Sequence, residues 1–181
     1  MITVLHVMCS TIKTKITELK LIKMGWDIHF TNQRTIGEIL EDKEFDIEFK
    51  DNDAYVFTTD EEGHKSGLIV PGATKDNYKT NLLSYGFISY NCRLGEFLWK
   101  LYTKYDMWFA DTALDDFMYL CDECKNEEEE NALLKYCYAE EMVHFFGDNL
   151  PKDDKLRKIL ADTTPVRDRL YEQYMDKHKR K

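Results

Sequence analysis

The period of the apolar residues changes partway along this chain, and that change limits the fold more than any other feature. Phe45, Ile47 and Phe49 alternate with Asp46 and Glu48, the two-residue period of a half-buried strand with an acidic outer face. Leu94, Phe97, Leu98, Leu101, Tyr102 and Tyr105 instead recur at i, i+3, i+4, i+7, i+8 and i+11, the stripe of an amphipathic helix. Strand-like segments therefore precede residue 72, and from about 74 the period is helical. A run of strands followed by a run of helices is the pattern of an α+β fold.

The first part begins with a β-branched run at 2–8. Apolar residues at 12, 16, 19 and 24 follow near helical spacing, and Gly25 is placed as a helix terminator. Trp26–Phe30 then reads as a second strand, so a βαβ unit with parallel strands is expected at the start of a small mixed sheet. A short helix at 34–41, strands at Phe45–Phe49 and Ala54–Thr58, a turn at Asp60–His64 and a strand at Leu68–Val70 complete this lobe. Pro71–Gly72 closes it. The helical lobe, 73–181, holds the 94–105 helix and a second helix opened by Thr112 and Asp115, with Leu114, Phe117, Met118 and Cys121 as its buried stripe. A third runs from about Glu128 to Phe146 and stops at Gly147. A short helix from Pro151 to Leu160 follows. Thr164 and Pro165 are read as N-cap and first residue of the last helix, in which Val166, Leu170 and Tyr174 line up. The two lobes, 1–72 and 73–181, are expected to pack as one domain.

Composition narrows the function. Ten Phe, eleven Tyr and three Trp in 181 residues can bury enough apolar area for an ordered core. No apolar run reaches the roughly 20 residues that span a bilayer. The odd number of cysteines, five, and the absence of a basic-then-apolar leader pattern point to a reducing cytoplasmic setting.

Several chemical motifs are present in part. Cys9 followed by Ser10, Thr11 and Lys15 resembles in outline the strand–Cys–x5–Arg–helix loop of low-molecular-weight tyrosine phosphatases, but Lys15 stands where the arginine would clamp phosphate. A ligand-binding α/β reading would use this loop together with Thr31–Arg34. Cys121, Cys124, Cys137 and His144 have zinc-like spacing. His144, however, lies about 10 Å along a helix from Cys137, too far for all four to share one ion. Glu141 and His144 form one Glu-x-x-His, where a di-iron bundle needs two. No cofactor and no catalytic residue is expected.

Charge is the remaining signal. The net charge is −9, but its sign is segregated: +3 over 1–37, −9 over 38–62, +4 over 63–105, −11 over 106–148 and +4 over 149–181. Glu127, Glu128, Glu129 and Glu130 are consecutive, with Asp111, Asp115, Asp116, Asp122 and Glu123 before them. Glu44, Asp46 and Glu48 form a second acidic group on a strand. Adjacent like charges repel, and carboxylates on rigid elements can stand at spacings comparable with phosphates on a duplex. In charge pattern and size the chain is similar to phage-encoded inhibitors of host defence nucleases, of the anti-CRISPR and anti-restriction kind. That resemblance implies binding without catalysis. Its partner would be a basic nucleic-acid-binding protein such as a Cas or restriction nuclease, gripped by these twelve carboxylates as one electronegative plate. The other expectations are a small α/β enzyme or nucleotide/phosphate-ligand binder using the loop after the first strand, and a generic acidic cytosolic interaction protein.

Overall fold

The computed structural model describes residues 25–89, 93–111 and 115–179. The expected first strand and helix (2–24), Cys9 and its loop, Thr112 and Leu114 lie outside them. The strands are β1 (Gly25–Phe30), β2 (Asp46–Lys50), β3 (Asp53–Thr59), β4 (Lys65–Pro71), β5 (Tyr85–Ser89) and β6 (Phe109–Asp111). The helices are α1 (Ile36–Ile39), α2 (Gly95–Tyr105), α3 (Asp115–Leu120), α4 (Glu127–Phe146) and α5 (Lys155–His178), with a 3-10 turn at Cys121–Glu123. The chain is α+β, with strands first and a mostly helical C-terminal part.

The six strands form one sheet in the order β2-β3-β4-β5-β1-β6, and every pairing between named strands is antiparallel. Both described neighbours of β1 run against it, and the parallel partner expected at 2–8 lies outside the described residues. The boundary expected at residue 72 does not hold. β5 and β6 come from beyond it and complete the sheet on either side of β1.

Local chemistry accounts for most element ends. Thr35 and Glu38 form a reciprocal capping box that starts α1. In the β3–β4 turn the Asp60 carboxylate accepts from the backbone N–H groups of Glu62 and His64, while Gly63 supplies the left-handed φ of 83°. Leu94 precedes α2 without a side-chain cap. The N–H of Phe97 donates instead to the buried Ser66 Oγ on β4, 3.2 Å away.

Register puts Ile47, Ala54, Val56, Leu68, Val70, Ile88, Ile28, Phe30 and Phe109 on one sheet face. They share a core with Phe97, Leu98 and Leu101 of α2 and Met142 and Phe146 of α4. A second cluster, Leu120, Leu133, Tyr136, Cys137 and Leu170, joins α3, α4 and α5. Leu120 takes the buried place expected for Met118, which is exposed.

The two expected C-terminal helices are one. Asp154, whose side chain accepts from the N–H of Leu156, caps α5, and the helix runs through Pro165. Proline removes a hydrogen bond from a helix interior. Nearby, the hydroxyls of Thr163 and Thr164 donate to the carbonyls of Ile159 and Leu160, both at 2.7 Å. Burial of Leu156, Thr163 and Leu170 along one helix outweighs the break that Thr164 and Pro165 suggest.

Candidate interaction surface

The acidic helical end is built by α3, the 3-10 turn, α4 and α5. Asn126 caps α4 by accepting from the N–H of Glu129 at 3.0 Å, and the Glu129 carboxylate accepts from the N–H of Lys125 at 2.9 Å. Glu127, Glu128, Glu129 and Glu130 thus occupy the first turn of a 20-residue helix. The positive end of the helix dipole offsets much of the repulsion among them. Their adjacency therefore has a structural reason and does not by itself require a partner.

A second structural reason lies in α5. Arg167 Nε is 3.1 Å from Asp116, Arg169 Nη2 is 2.9 Å from Glu129, and Lys177 pairs with Glu123. Part of the negative charge of 106–148 is thus met by the positive charge of 149–181, across the interface that holds the helical layer together. The first acidic segment behaves alike. Glu44 is bridged by Lys100 at 3.1 Å and Lys104 at 2.9 Å, Asp42 pairs with Lys104, and Glu48 pairs with Lys65. These contacts show in the acidities. Hydrogen bonds from Lys104 and Lys100 hold the Glu44 carboxyl below its usual range. The Lys125 N–H, followed by Arg169, does the same for Glu129. Charge that looks segregated along the chain is to a large extent complementary in space.

The twelve carboxylates do not form one plate. Asp46 and Glu48 lie on β2 at one edge of the sheet, and Asp111 lies on β6 at the other. Five interstrand spacings of about 4.8 Å separate those edges by roughly 24 Å. Register also places Asp46 and Glu48 on the face opposite the one that α2 and α4 cover. Asp46 and Glu48 are therefore apart from the helical group, and Glu44 is held at α2 by Lys100 and Lys104. Within that group Asp116, Glu123 and Glu129 are ion-paired, and Asp111 accepts a hydrogen bond from Trp26 Nε1 at 3.0 Å. The Asp115 side chain is outside the described residues. Asp122, Glu127, Glu128 and Glu130 make no ion pair with any described residue. Glu127 and Glu128 also border an open depression between α4 and α5, with Asn131, Ala132, Lys135 and Thr163.

The cysteine cluster is a packing feature. Cys137 sits in the second apolar cluster, and burial pushes its thiol up to about 12. Burial, then Glu129, pushes Cys124 up to about 11. Cys121, Cys124, Cys137 and His144 do not bring three ligand atoms within 4.8 Å of one another. Asp60, Glu62 and His64 do so on the exposed β3–β4 turn, where the Asp60 carboxylate is already engaged by His64 and lies 3.5 Å from Arg93. Glu141 is half-buried and its carboxyl is pushed up, by burial first and then by Asp111 and Glu140, whereas His144 is exposed. Because the thiolate is the nucleophile, thiols made weaker acids by burial alkylate slowly. With a thiol near 12 against an ordinary 8.5, native Cys137 at pH 8 is expected to react with iodoacetamide on the order of a thousandfold more slowly than after denaturation. Its rate should rise about tenfold per pH unit until the pH reaches that value. Peptide mapping after timed labelling measures this, and fast native labelling of Cys137 would contradict its burial.

Sequence reasoning passed over a group of exposed aromatics on the same helices. Tyr119 and Tyr171 are 59% and 46% exposed. The available signal was their position: each stands one residue off the apolar stripe of its helix, where an aromatic side chain has no core to enter. No family model, curated protein or solved structure matches the chain.

Proposed function

We propose that this protein acts by binding, and that the helical end carrying Asp122, Glu127, Glu128 and Glu130 docks on a basic surface of a partner that otherwise holds nucleic acid. The observation that carries this reading is that these four carboxylates keep no counter-ion among the described residues. Their neighbours Asp116, Glu123 and Glu129 are neutralised by α5. The capped first turn of α4 and the α5 ion pairs hold the backbone of this end in place, so a cationic groove would meet a preorganised anionic surface. The resemblance in charge and size supplies the partner class: a defence nuclease of the Cas or restriction kind, inhibited by occupancy. The acidic strand β2 takes no part, because it faces away.

The competing reading, a ligand site formed by the loop around Cys9 with Thr31–Arg34, has its Cys9 part outside the described residues. The two readings separate in one experiment. Purified nucleases of both kinds are tested for DNA loading by gel shift with and without the protein, at low and high salt. The Glu127→Lys/Glu128→Lys variant is tested alongside. Inhibition is expected at low salt, weaker at high salt, with the reversal weakening it roughly tenfold or more. Inhibition insensitive to both salt and the reversal would sink the reading. Thermal stabilisation by a phosphate compound, unaffected by the reversal, would favour the ligand site.

A further inference from the structure

We infer that Tyr119, Tyr171 and Tyr174, with Asp122, form a recognition site for arginine side chains of a protein partner. The inference deepens the proposed function and rests on it, since it names the chemistry by which the acidic end selects its cationic surface.

Tyr119 on α3 and Tyr174 on α5 have ring centroids 6.3 Å apart, and Tyr174 stacks on His178 at 4.0 Å. Tyr171 precedes Tyr174 by three residues on α5, so the two share a side of that helix. Met118, 43% exposed, adjoins Tyr119 in sequence. The result is a strip of aromatic surface on two packed helices. Exposed tyrosine and methionine of this kind are enriched in the energetic centres of interfaces. Asp122 follows Tyr119 by three residues, in the 3-10 turn that continues from α3, and is exposed without a counter-ion among the described residues.

The fold itself shows what such a combination holds. Among the described residues, three cations each lie over an aromatic ring while pairing with a carboxylate. Lys65 stands 4.3 Å over Phe57 and pairs with Glu48. Lys155 stands 5.5 Å over Tyr102 and pairs with Asp106. The Arg167 guanidinium stands 4.9 Å over Tyr136 and pairs with Asp116. Tyr119 and Asp122 supply ring and carboxylate without a described cation of the chain's own, because the neighbouring Lys177 is taken by Glu123. An arginine fits better than a lysine, since a planar, weakly hydrated guanidinium can stack on a ring and donate to a carboxylate at once. A second copy of the chain is a poorer occupant, since each carries −9. Single-stranded nucleic acid could stack on the rings but would bring phosphate against Asp122.

Fluorescence anisotropy with labelled Gly-Arg and Gly-Lys repeat peptides of equal length, at low salt, tests this. The wild type is expected to bind the arginine peptide about fivefold more tightly. Tyr119→Ala/Tyr171→Ala, both at exposed positions, should erase that preference and leave lysine-peptide affinity unchanged, with the circular-dichroism melt confirming the fold. Glu127→Lys/Glu128→Lys should weaken both peptides alike. Equal affinities in the wild type, or a preference that survives loss of the tyrosines, overturns the arginine site while the acidic reading stands. Failure of both peptides to bind overturns both. Tighter binding of oligothymidylate, or a dimer that the tyrosine replacements dissolve, would also overturn the inference by giving the strip another occupant.

Discussion

Phe109→Ala is expected to lower unfolding free energy by about 3–5 kcal/mol, measured by urea denaturation. Phe109 is only 1% exposed and sits on β6, an edge strand of three residues. Its ring meets Phe145 at 5.2 Å and 86° and Phe146 at 5.4 Å and 90°, both edge-on. It therefore joins the edge of the sheet to the last turn of α4. Alanine would forfeit the transfer energy of the ring and leave a cavity between two elements that cannot both close on it. A loss under about 1 kcal/mol would show that Phe109 does not hold the helical layer to the sheet. The first turn of α4 lies about 30 Å along the helix from Phe146. Below its lowered melting temperature the variant should therefore keep its peptide affinity, which separates stability from binding.

Gly67→Ala should be as damaging for a different reason, at least about 3 kcal/mol by the same measurement. Gly67 lies in β4, between β3 and β5, opposite Phe57. A Cβ there would come within 2.2 Å of the Val56 carbonyl oxygen and 2.6 Å of Phe57 Cα. Backbone atoms cannot swing aside as a side-chain end can, so β3 and β4 would have to separate. The Gly67 N–H also donates to the Arg93 carbonyl at 2.9 Å, a bond on the approach to α2 that such a shift would strain. Gly95→Ala is the control. A Cβ at Gly95, the first residue of α2, meets nothing within 4 Å, so a small gain of up to about 1 kcal/mol is expected. Similar losses at both positions would refute the steric account.

Local pattern carried the elements that could be read. Alternation predicted β2, helical spacing predicted α2, and turn residues predicted the β3–β4 hairpin, because each signal is complete within one element. The Thr35–Glu38 box and the Asn126 cap are equally local and were legible on closer reading. β5 and β6 were not legible. Tyr85–Ser89 falls where the helical period was expected, and Phe109–Asp111 is too short to show any period. β5 is a strand because β4 and β1 flank it, and β6 because β1 stands beside it.

The amino-acid order alone determined that a strand-like pattern gives way to a helical one along the chain, where the apolar faces lie and how much charge each stretch holds. Tertiary structure decided the strand order, the cap that Ser66 lends α2, the continuation of α5 through Pro165 and which carboxylates keep no counter-ion among the described residues. Hydrogen-bonding partners and ion pairs depend on distance in space. Residues such as Glu123 and Lys177, or Ser66 and Phe97, become neighbours only once the chain between them has packed.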